Sequence, residues 1–424
     1  MRIERLGRIS SAAEVLRAVA VGAEQDALPP PAGLIGQWFG AAAVIAPSVA
    51  IRPVLPTEVF DVPTGNSCGA VGGGWMGYLT YPDPGSDAAP TRIPTAAGGW
   101  TDCVLRLDIE DCWWFESLSG SPMPGWLHHA LEGAPSAPSF AVTWTEPDFA
   151  QHQNAVRSCL EAIGAGEIYQ GCICTRFTGT LRGSSLDFFA DAVARTAPSW
   201  AAYLAGQWGA VASLSPESFL RRTGERVQSS PIKGTAPQDK PPDTLLESVK
   251  DIAENIMIVD LVRNDLSRVA RTGSVTVPEL LKVQAAPGVW HLVSTVSAQV
   301  PTTVTTAALL DATFPPASVT GTPKARARRL ISQWEPHRRG IYCGTIGLAS
   351  PVAGCELNVA IRTVEFDTQG NAVLGVGGGI TADSDPLAEW QECLDKGASI
   401  VGLGASAPMP DYPDSAVRDR STAS

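Results

Sequence analysis

The 424-residue sequence predicts an α/β protein built on mixed or antiparallel sheets, and three observations carry that expectation. From about Pro147 onward, strand-like and helix-like periodicities alternate. Two pairs of strand-like runs lie close enough to form hairpins, which demand antiparallel neighbours. Hydrophobic residues make up 44% of the chain and charged residues only 17%, the balance of a protein with a large buried core. Alternation alone suits a doubly wound parallel fold, but the hairpins argue against it.

The first 145 residues read as strands and turns with irregular insertions. Cys103 to Ile109 and Cys112 to Phe115 form one expected hairpin around Glu110 and Asp111. The runs 82–94 and 117–138 are rich in Pro, Gly, Ser and Ala and read as surface loops. Apolar residues at 149, 156, 160 and 163 put a helix over Phe149 to Ile163, ended by Gly164 and Gly166. A strand follows over Ile168 to Leu181, then a helix over Ser185 to Ala197 and strands through Ala201 to Val227. A long helix is expected from Asp243 to about Ala270, and a strand around Trp290 to Val300. Thr322 and Pro323 open another helix, with a capping hydroxyl and a proline in the first turn. Strands at Leu357 to Phe366 and Ala372 to Val376 are joined by a turn at Gly370-Asn371, and a last helix spans roughly Asp385 to Val401. The chain thus divides into an N-terminal part (1–145), a regular region (146–404) and a polar, proline-bearing tail (405–424) expected to be disordered.

Composition excludes several function classes. A net charge of −12 leaves no dense Lys/Arg footprint for a phosphate backbone, so nucleic acid is not an expected partner. Arg2, Glu4, Arg5 and Arg8, then Glu14 and Arg17, interrupt any signal-peptide core, and no apolar run of membrane-spanning length occurs. Nine cysteines, an odd number without Cys-x-x-Cys spacing, read as free thiols in the cytoplasm. Cys172 and Cys174 share a strand face, a geometry unsuited to a disulfide.

Lysine is scarce. Six lysines stand against 25 arginines, and none occurs before Lys233. Lys233 sits in Ser230-Pro-Ile-Lys-Gly-Thr235, between a proline that fixes the backbone and a glycine that admits a ligand to the main chain, although a turn with a solvated lysine has the same local signature. On the last helix Glu389, Glu392 and Lys396 fall at i, i+3 and i+7, on one face. Two such carboxylates with a third oxygen donor can share Mg²⁺; the plainer reading is a solvated face with a Glu-to-Lys pair at i+4. Glu254, among apolar neighbours, is a candidate third donor, or else the partner of Arg263 or Arg268 in a salt bridge. The run Gly375-Val-Gly-Gly-Gly-Ile380 fails the dinucleotide fingerprint at its last position but exposes backbone N–H groups that can hold a carboxylate. Tyr342, Arg362 and His291 lie in strand-like runs, where each is an ordinary packing or hydrogen-bonding residue unless a ligand is nearby.

These runs together resemble the chorismate-utilising enzymes, most of all their aminodeoxychorismate synthase component I branch. The resemblance rests on Gly166-Glu-Ile-Tyr-Gln170, Ser215-Pro-Glu217, Pro231-Ile-Lys-Gly-Thr235, Glu254-Asn-Ile-Met-Ile-Val-Asp-Leu-Val-Arg-Asn-Asp265, His291-Leu-Val-Ser-Thr295, Thr320-Gly-Thr-Pro-Lys324, Gly340-Ile-Tyr-Cys-Gly344, Asn358-Val-Ala-Ile-Arg-Thr363 and Glu389-Trp-Gln-Glu, in family order over residues ~150–400. It implies a two-sheet α/β sandwich of antiparallel sheets with helices outside, and a Mg²⁺-dependent chorismate pocket in the region 146–404. Carried over to this chain, Glu254, Glu389 and Glu392 are the implied metal ligands. Lys233, Glu217 and His291 are the implied catalytic set, with Glu217 the acid for the departing hydroxyl at ring carbon 4. Gly234, Thr235, Tyr342, Arg362, Gly378, Gly379 and Lys396 are the implied substrate contacts.

Within the family, lysine at position 233 resembles the 4-aminating enzymes, where anthranilate synthases carry alanine. The implied reaction turns chorismate and ammonia into 4-amino-4-deoxychorismate through a covalent Lys233 adduct; anthranilate or 2-amino-2-deoxyisochorismate synthesis and a catalytically silent binding partner are the alternatives. Gly171 stands where the water-using isochorismate and salicylate synthases resemble one another in carrying a lysine base. Gly171-Cys172-Ile173 and Phe314-Pro-Pro-Ala-Ser318 depart from the family pattern. Cys68 lies in a glycine-rich turn, yet no His-x-Glu pattern accompanies it, so ammonia is expected from a separate glutamine amidotransferase subunit.

Overall fold

Strands that are apolar on both faces need cover on both sides. In the computed structural model two antiparallel sheets supply it by stacking on each other, with helices on their outer surfaces. The structure describes residues 1–63, 65, 69–83, 91–133 and 139–403. Among these the larger sheet has 12 strands. It runs from Arg2–Gly7 at one edge through Ala32–Gly36, Trp200–Gly206, Gly209–Ser215, Thr363–Phe366 and Asn371–Ile380 to Gln170–Gly183 and Gly321–Thr322. The smaller has 10, from Ile232–Pro237 and Val289–Gln299 through Ser218–Thr223, Gly354–Asn358 and Thr345–Ser350 to Gly74–Leu79 and Ala96–Thr101. Residues on either side of position 145 build both sheets together: Ala32–Gly36 pairs with Trp200–Gly206, and Gly74–Leu79 with Thr345–Ser350.

The strand Trp200–Gly206 shows the layering. Ala202 and Leu204 turn into the core between the sheets with Leu34, Met76, Val211 and Ile346, whereas Ala201 and Tyr203 turn outward beneath helices. Ala12–Gln25, Ser185–Thr196 and Pro386–Val401 cover the larger sheet and bury Leu16, Phe188, Phe189 and Ile400. Val249–Ser267 and Thr306–Thr313 cover the smaller with Ile258, Val262, Leu266 and Leu309. Each fully buried side chain of this size contributes about 1.5–3 kcal/mol.

Several elements differ from the sequence expectation. The N-terminal part holds the helix Ala12–Gln25, opened by a Ser11–Glu14 capping box, and the run 117–138 holds the helix Gly125–Glu132. The helix expected over 243–270 is two, Thr244–Glu247 and Val249–Ser267, because Ser248 leaves helical geometry and caps the second through Asp251 N. Thr322 is paired in a strand with Gln170, so Pro323 takes the cap position of the helix Lys324–Trp334 and no hydroxyl caps it. Thr276–Ala286 is a strand paired with Val289–Gln299, and the strand starting at Asn371 continues through the glycine run to Ile380. The run 357–366 is broken: Gly354–Asn358 belongs to the smaller sheet and Thr363–Phe366 to the larger. Arg362, at φ +50°, lies on the crossing between them. The expected tail 405–424 falls outside the described residues. Among those described, no helix is long and apolar enough to cross a membrane.

Candidate active site

The glycine run is where the site is built. Asn371–Ile380 pairs with Gln170–Gly183 so that Gly379 faces Cys172 and Gly378 faces Ile173. Neighbouring residues of a strand point to opposite faces, and both faces here are occupied by side chains that approach the bare backbone. A Cβ at Gly378 would stand 2.9 Å from Glu389 Oε2, 3.8 Å from Glu392 Oε1 and 3.9 Å from Lys396 Nζ. A Cβ at Gly379 would stand 2.4 Å from Gln170 Nε2 and 3.1 Å from Lys233 Nζ. Only glycine leaves space for acids on one side of the strand end and an amine on the other.

The acids come from two helices. Glu389, Glu392 and Lys396 share a face of Pro386–Val401, and Glu254 comes from Val249–Ser267. Glu389 is 3% exposed; its Oε1 accepts from Ser384 Oγ at 2.6 Å, while its Oε2 is buried without a hydrogen-bond partner. Lys396 Nζ pairs with Glu392 Oε1 at 2.6 Å and donates to Gly377 O at 2.8 Å, so the expected i+4 pair is real. The salt bridge considered for Glu254 is not formed: Arg263 pairs with Asp260, and Arg268 donates to Ala312 O. Lys250 joins the acids instead, with its Nζ 3.5 Å from Glu389 Oε1 and 4.0 Å from Glu254 Oε1. This lysine was not among the expected site residues, although its place four residues before Glu254 on one helix face was a usable signal. Burial raises Glu254 above the ordinary carboxylate range, opposed by the charges of Lys233 and Lys250. Burial also works against the half-exposed Glu392 carboxylate, but Lys396, then Lys250 and Lys233, hold it below the ordinary range.

Among the described residues no three acidic, histidine or cysteine side chains cage a metal unaided. Mg²⁺ asks for less, since it keeps waters and takes one or two carboxylates beside substrate oxygens. The unpartnered Glu389 Oε2 and the ammonium gathered by Glu254 and Glu389 give this place the charge and donor chemistry that suit a hard cation.

Glu217 lies between Gly209–Ser215 and Ser218–Thr223 and is 4% exposed. Ser215 fixes the turn by donating to Val359 O at 2.6 Å and accepting from Glu217 N at 3.1 Å. Burial lifts the Glu217 carboxyl to about 7, against a hydrogen bond from Ser318 and the charge of Lys233. Ser318 belongs to the departing Phe314–Ser318 run, so that turn touches the site. Near neutral pH the group is partly protonated, as a general acid requires. The Lys233 side chain has no hydrogen bond or ion pair among the described residues, which leaves its amine unpaired beside Gly379.

A second group adjoins the first. Thr235 Oγ1 lies 3.0 Å from His291 Nδ1, and burial, with the charge of Arg362 added, lowers His291 to about 4, so its ring is neutral. Burial also lowers Arg362, which has no acidic partner among the described residues. A desolvated guanidinium in that condition has the charge and donor geometry to pair with a carboxylate. Tyr342 is buried, with its ring packed on Gly375. The Sγ atoms of Cys172 and Cys174 are 3.9 Å apart, and the eight described cysteines are free. Cys68 lies outside the described residues.

A sequence model of chorismate binding enzymes matches residues 107–402. Aminodeoxychorismate synthase component 1 of Klebsiella aerogenes is 41% identical over 325 residues, 74% of this chain and 71% of that one. The protein of the same name from Escherichia coli K12 is 41% identical over 58% of this chain and 56% of its own length, so the match spans little more than half of that relative. Among solved structures, anthranilate synthase component I of Streptococcus pneumoniae superposes with a TM-score of 0.71 at 25% identity, covering 88% of this chain and 90% of that one.

Proposed function

The chain belongs to the chorismate binding enzyme family, and within it we propose that this protein aminates chorismate at ring carbon 4 to give 4-amino-4-deoxychorismate. The observation that carries the choice is the unpaired Lys233 amine beside Gly379, within electrostatic reach of Glu217, Glu254 and Glu392. An alanine at this position would remove the nucleophile, and the reaction would have to place nitrogen directly.

Chorismate is a dicarboxylate, and Arg362 with the N–H group of Gly379 offers the positive and donor surface to hold it. The Lys233 nitrogen attacks ring carbon 2 through its lone pair as the diene electrons shift toward carbon 4. The carbon 4 hydroxyl leaves as water with the Glu217 proton. The proton on the new secondary amine returns to Glu217. Ammonia then adds at carbon 4, the diene shifts back, and the Lys233 nitrogen departs as a neutral amine with the Glu217 proton; the new carbon 4 ammonium returns a proton to Glu217, so chorismate and ammonia give the amino product and water. Neutral His291, held by Thr235, presents a hydrogen-bonding edge without adding charge to the pocket. A Mg²⁺ ion held by Glu254, Glu389 and Glu392 would neutralise a chorismate carboxylate and draw electron density from the ring. We read the ammonia as the product of a separate glutamine amidotransferase subunit, in line with the "component 1" naming of the relatives, and the free thiols as those of a cytoplasmic protein.

The test is product identity from chorismate, ammonium and Mg²⁺. A mass-spectrometric 4-amino product that yields 4-aminobenzoate once a lyase is supplied supports the proposal; fluorescent anthranilate overturns it.

A further inference from the structure

The strand that carries Lys233 is irregular. Ile232 pairs with Val293 and Thr235 with His291, so Lys233 and Gly234 together face the single residue Leu292. This is a β-bulge, which bends a strand and re-aims a side chain. Gly234 takes φ +91° in it, and a Cβ there would lie 3.1 Å from Asp251 Cβ and 3.3 Å from Leu292 Cβ. Backbone groups at a bulge lose ladder partners and must find others.

One buried carboxamide serves both strands of this bulge. Asn255 Nδ2 donates to Leu292 O at 3.0 Å and to Lys233 O at 3.4 Å, while its Oδ1 accepts from Ser294 Oγ at 2.5 Å. Ser294 Oγ also accepts from Leu281 N at 2.9 Å, where the third strand has its own register shift and Leu281 stands at φ +55°. Asn255 is 1% exposed, so these bonds fix its orientation. It follows Glu254 directly on the helix Val249–Ser267, and successive helical residues point about 100° apart. One side chain therefore faces the acids while the next grips the backbone of Lys233.

We infer that Asn255 is the positioning residue of the reaction: it pins the bulge so that the Lys233 amine is held in register with the acidic groups of the same helix. The inference rests on Lys233 being the nucleophile. It gives Asn255 a task separable from substrate binding, because its bonds go to the backbone of the nucleophile and not to the cavity.

The experiment mixes the full chain with chorismate and Mg²⁺ without ammonium and follows the intact mass with time. The adduct is chorismate less water: the Nζ to carbon 2 bond forms, the carbon 4 to oxygen bond breaks, and the hydroxyl leaves with the Glu217 proton. Asn255→Ala should form it about 10²-fold more slowly, the loss that follows a misplacement of about 1 Å, with an unchanged chorismate dissociation constant by equilibrium dialysis. Ser294→Ala, which removes the donor that orients the carboxamide together with the acceptor for Leu281 N, should slow it in the same direction to a lesser extent, and it decides the matter if Asn255→Ala does not fold. An adduct formed at the parent rate by the folded variants, or a loss of binding as large as the loss of rate, overturns the inference alone. Absence of the adduct on the parent chain overturns the nucleophile reading, and this inference with it.

Discussion

Replacing Glu217 by glutamine should make the protein more stable and nearly inactive, because the fold holds this carboxyl where ionisation is costly. Burial raises it from an ordinary 4.5 to about 7, against the Ser318 hydrogen bond and the Lys233 charge. At about 1.4 kcal/mol per unit, carrying the carboxylate at pH 8 costs the fold about 3 kcal/mol. A carboxyl with a raised native pKa binds more protons folded than unfolded, so stability falls as pH rises from about 4.5 to 7 and stays lower above that. Glutamine has the same shape and no such dependence. The variant should match the parent near pH 4.5 and exceed it by about 3 kcal/mol at pH 8, measured by denaturant unfolding at both pH values. Activity moves the other way. Roughly half of the parent carries the proton at pH 7, against under about 1% for an ordinary glutamate, and losing a general acid costs about 10²- to 10⁴-fold in rate. With free ammonia held constant, parent turnover should fall with rising pH above about 7. A stability difference that is equal at both pH values, or an E217Q enzyme that turns over normally, would refute the reasoning.

Gly379→Ala should lower the thermal midpoint, because its Cβ would stand 2.4 Å from the buried Gln170 carboxamide, and it should abolish amination by displacing the amine; an active variant would show that the amine does not work at this face. Lys250→Met removes the ammonium gathered by Glu254 and Glu389, so without Mg²⁺ its thermal midpoint should drop, and added Mg²⁺ should raise it by more than in the parent; equal Mg²⁺ shifts would separate the ion from these acids. Arg362→Ala should raise the chorismate KM about 10- to 100-fold, the loss of a charge-assisted pair of about 1.5–3 kcal/mol, and an unchanged KM would place the substrate carboxylate elsewhere.

The parts of the fold legible in the sequence were those whose pattern is local. Phe149–Gly164 and Pro386–Val401 announce themselves by helical periodicity and end signals, and the Cys103–Leu107 and Trp113–Ser117 hairpin by alternation and turn residues. The break in the run 357–366 was hidden because both halves are extended and fully buried; only the sheet each belongs to distinguishes them. The Ser11–Glu14 capping box ahead of Val15, Leu16 and Val19 was a readable signal that the turn-rich reading of the N-terminal part passed over. At the site, the acids on one helix face and the lone lysine could be picked out one by one, and Lys250 had its i+4 spacing to Glu254, but Ser318 and Asn255 could not. Their importance comes from contacts that cross tens of residues: Asn255 reaches Lys233 O and Leu292 O through a bulge that no periodicity reveals.

The role of the lysine nitrogen is tested most directly by Lys233→Ala with chorismate, Mg²⁺ and saturating ammonium, its product followed by mass spectrometry alongside a chorismate-binding measurement. The account predicts a folded variant that still binds chorismate and makes no 4-amino product above background. Formation of 4-amino-4-deoxychorismate at the parent rate would contradict it.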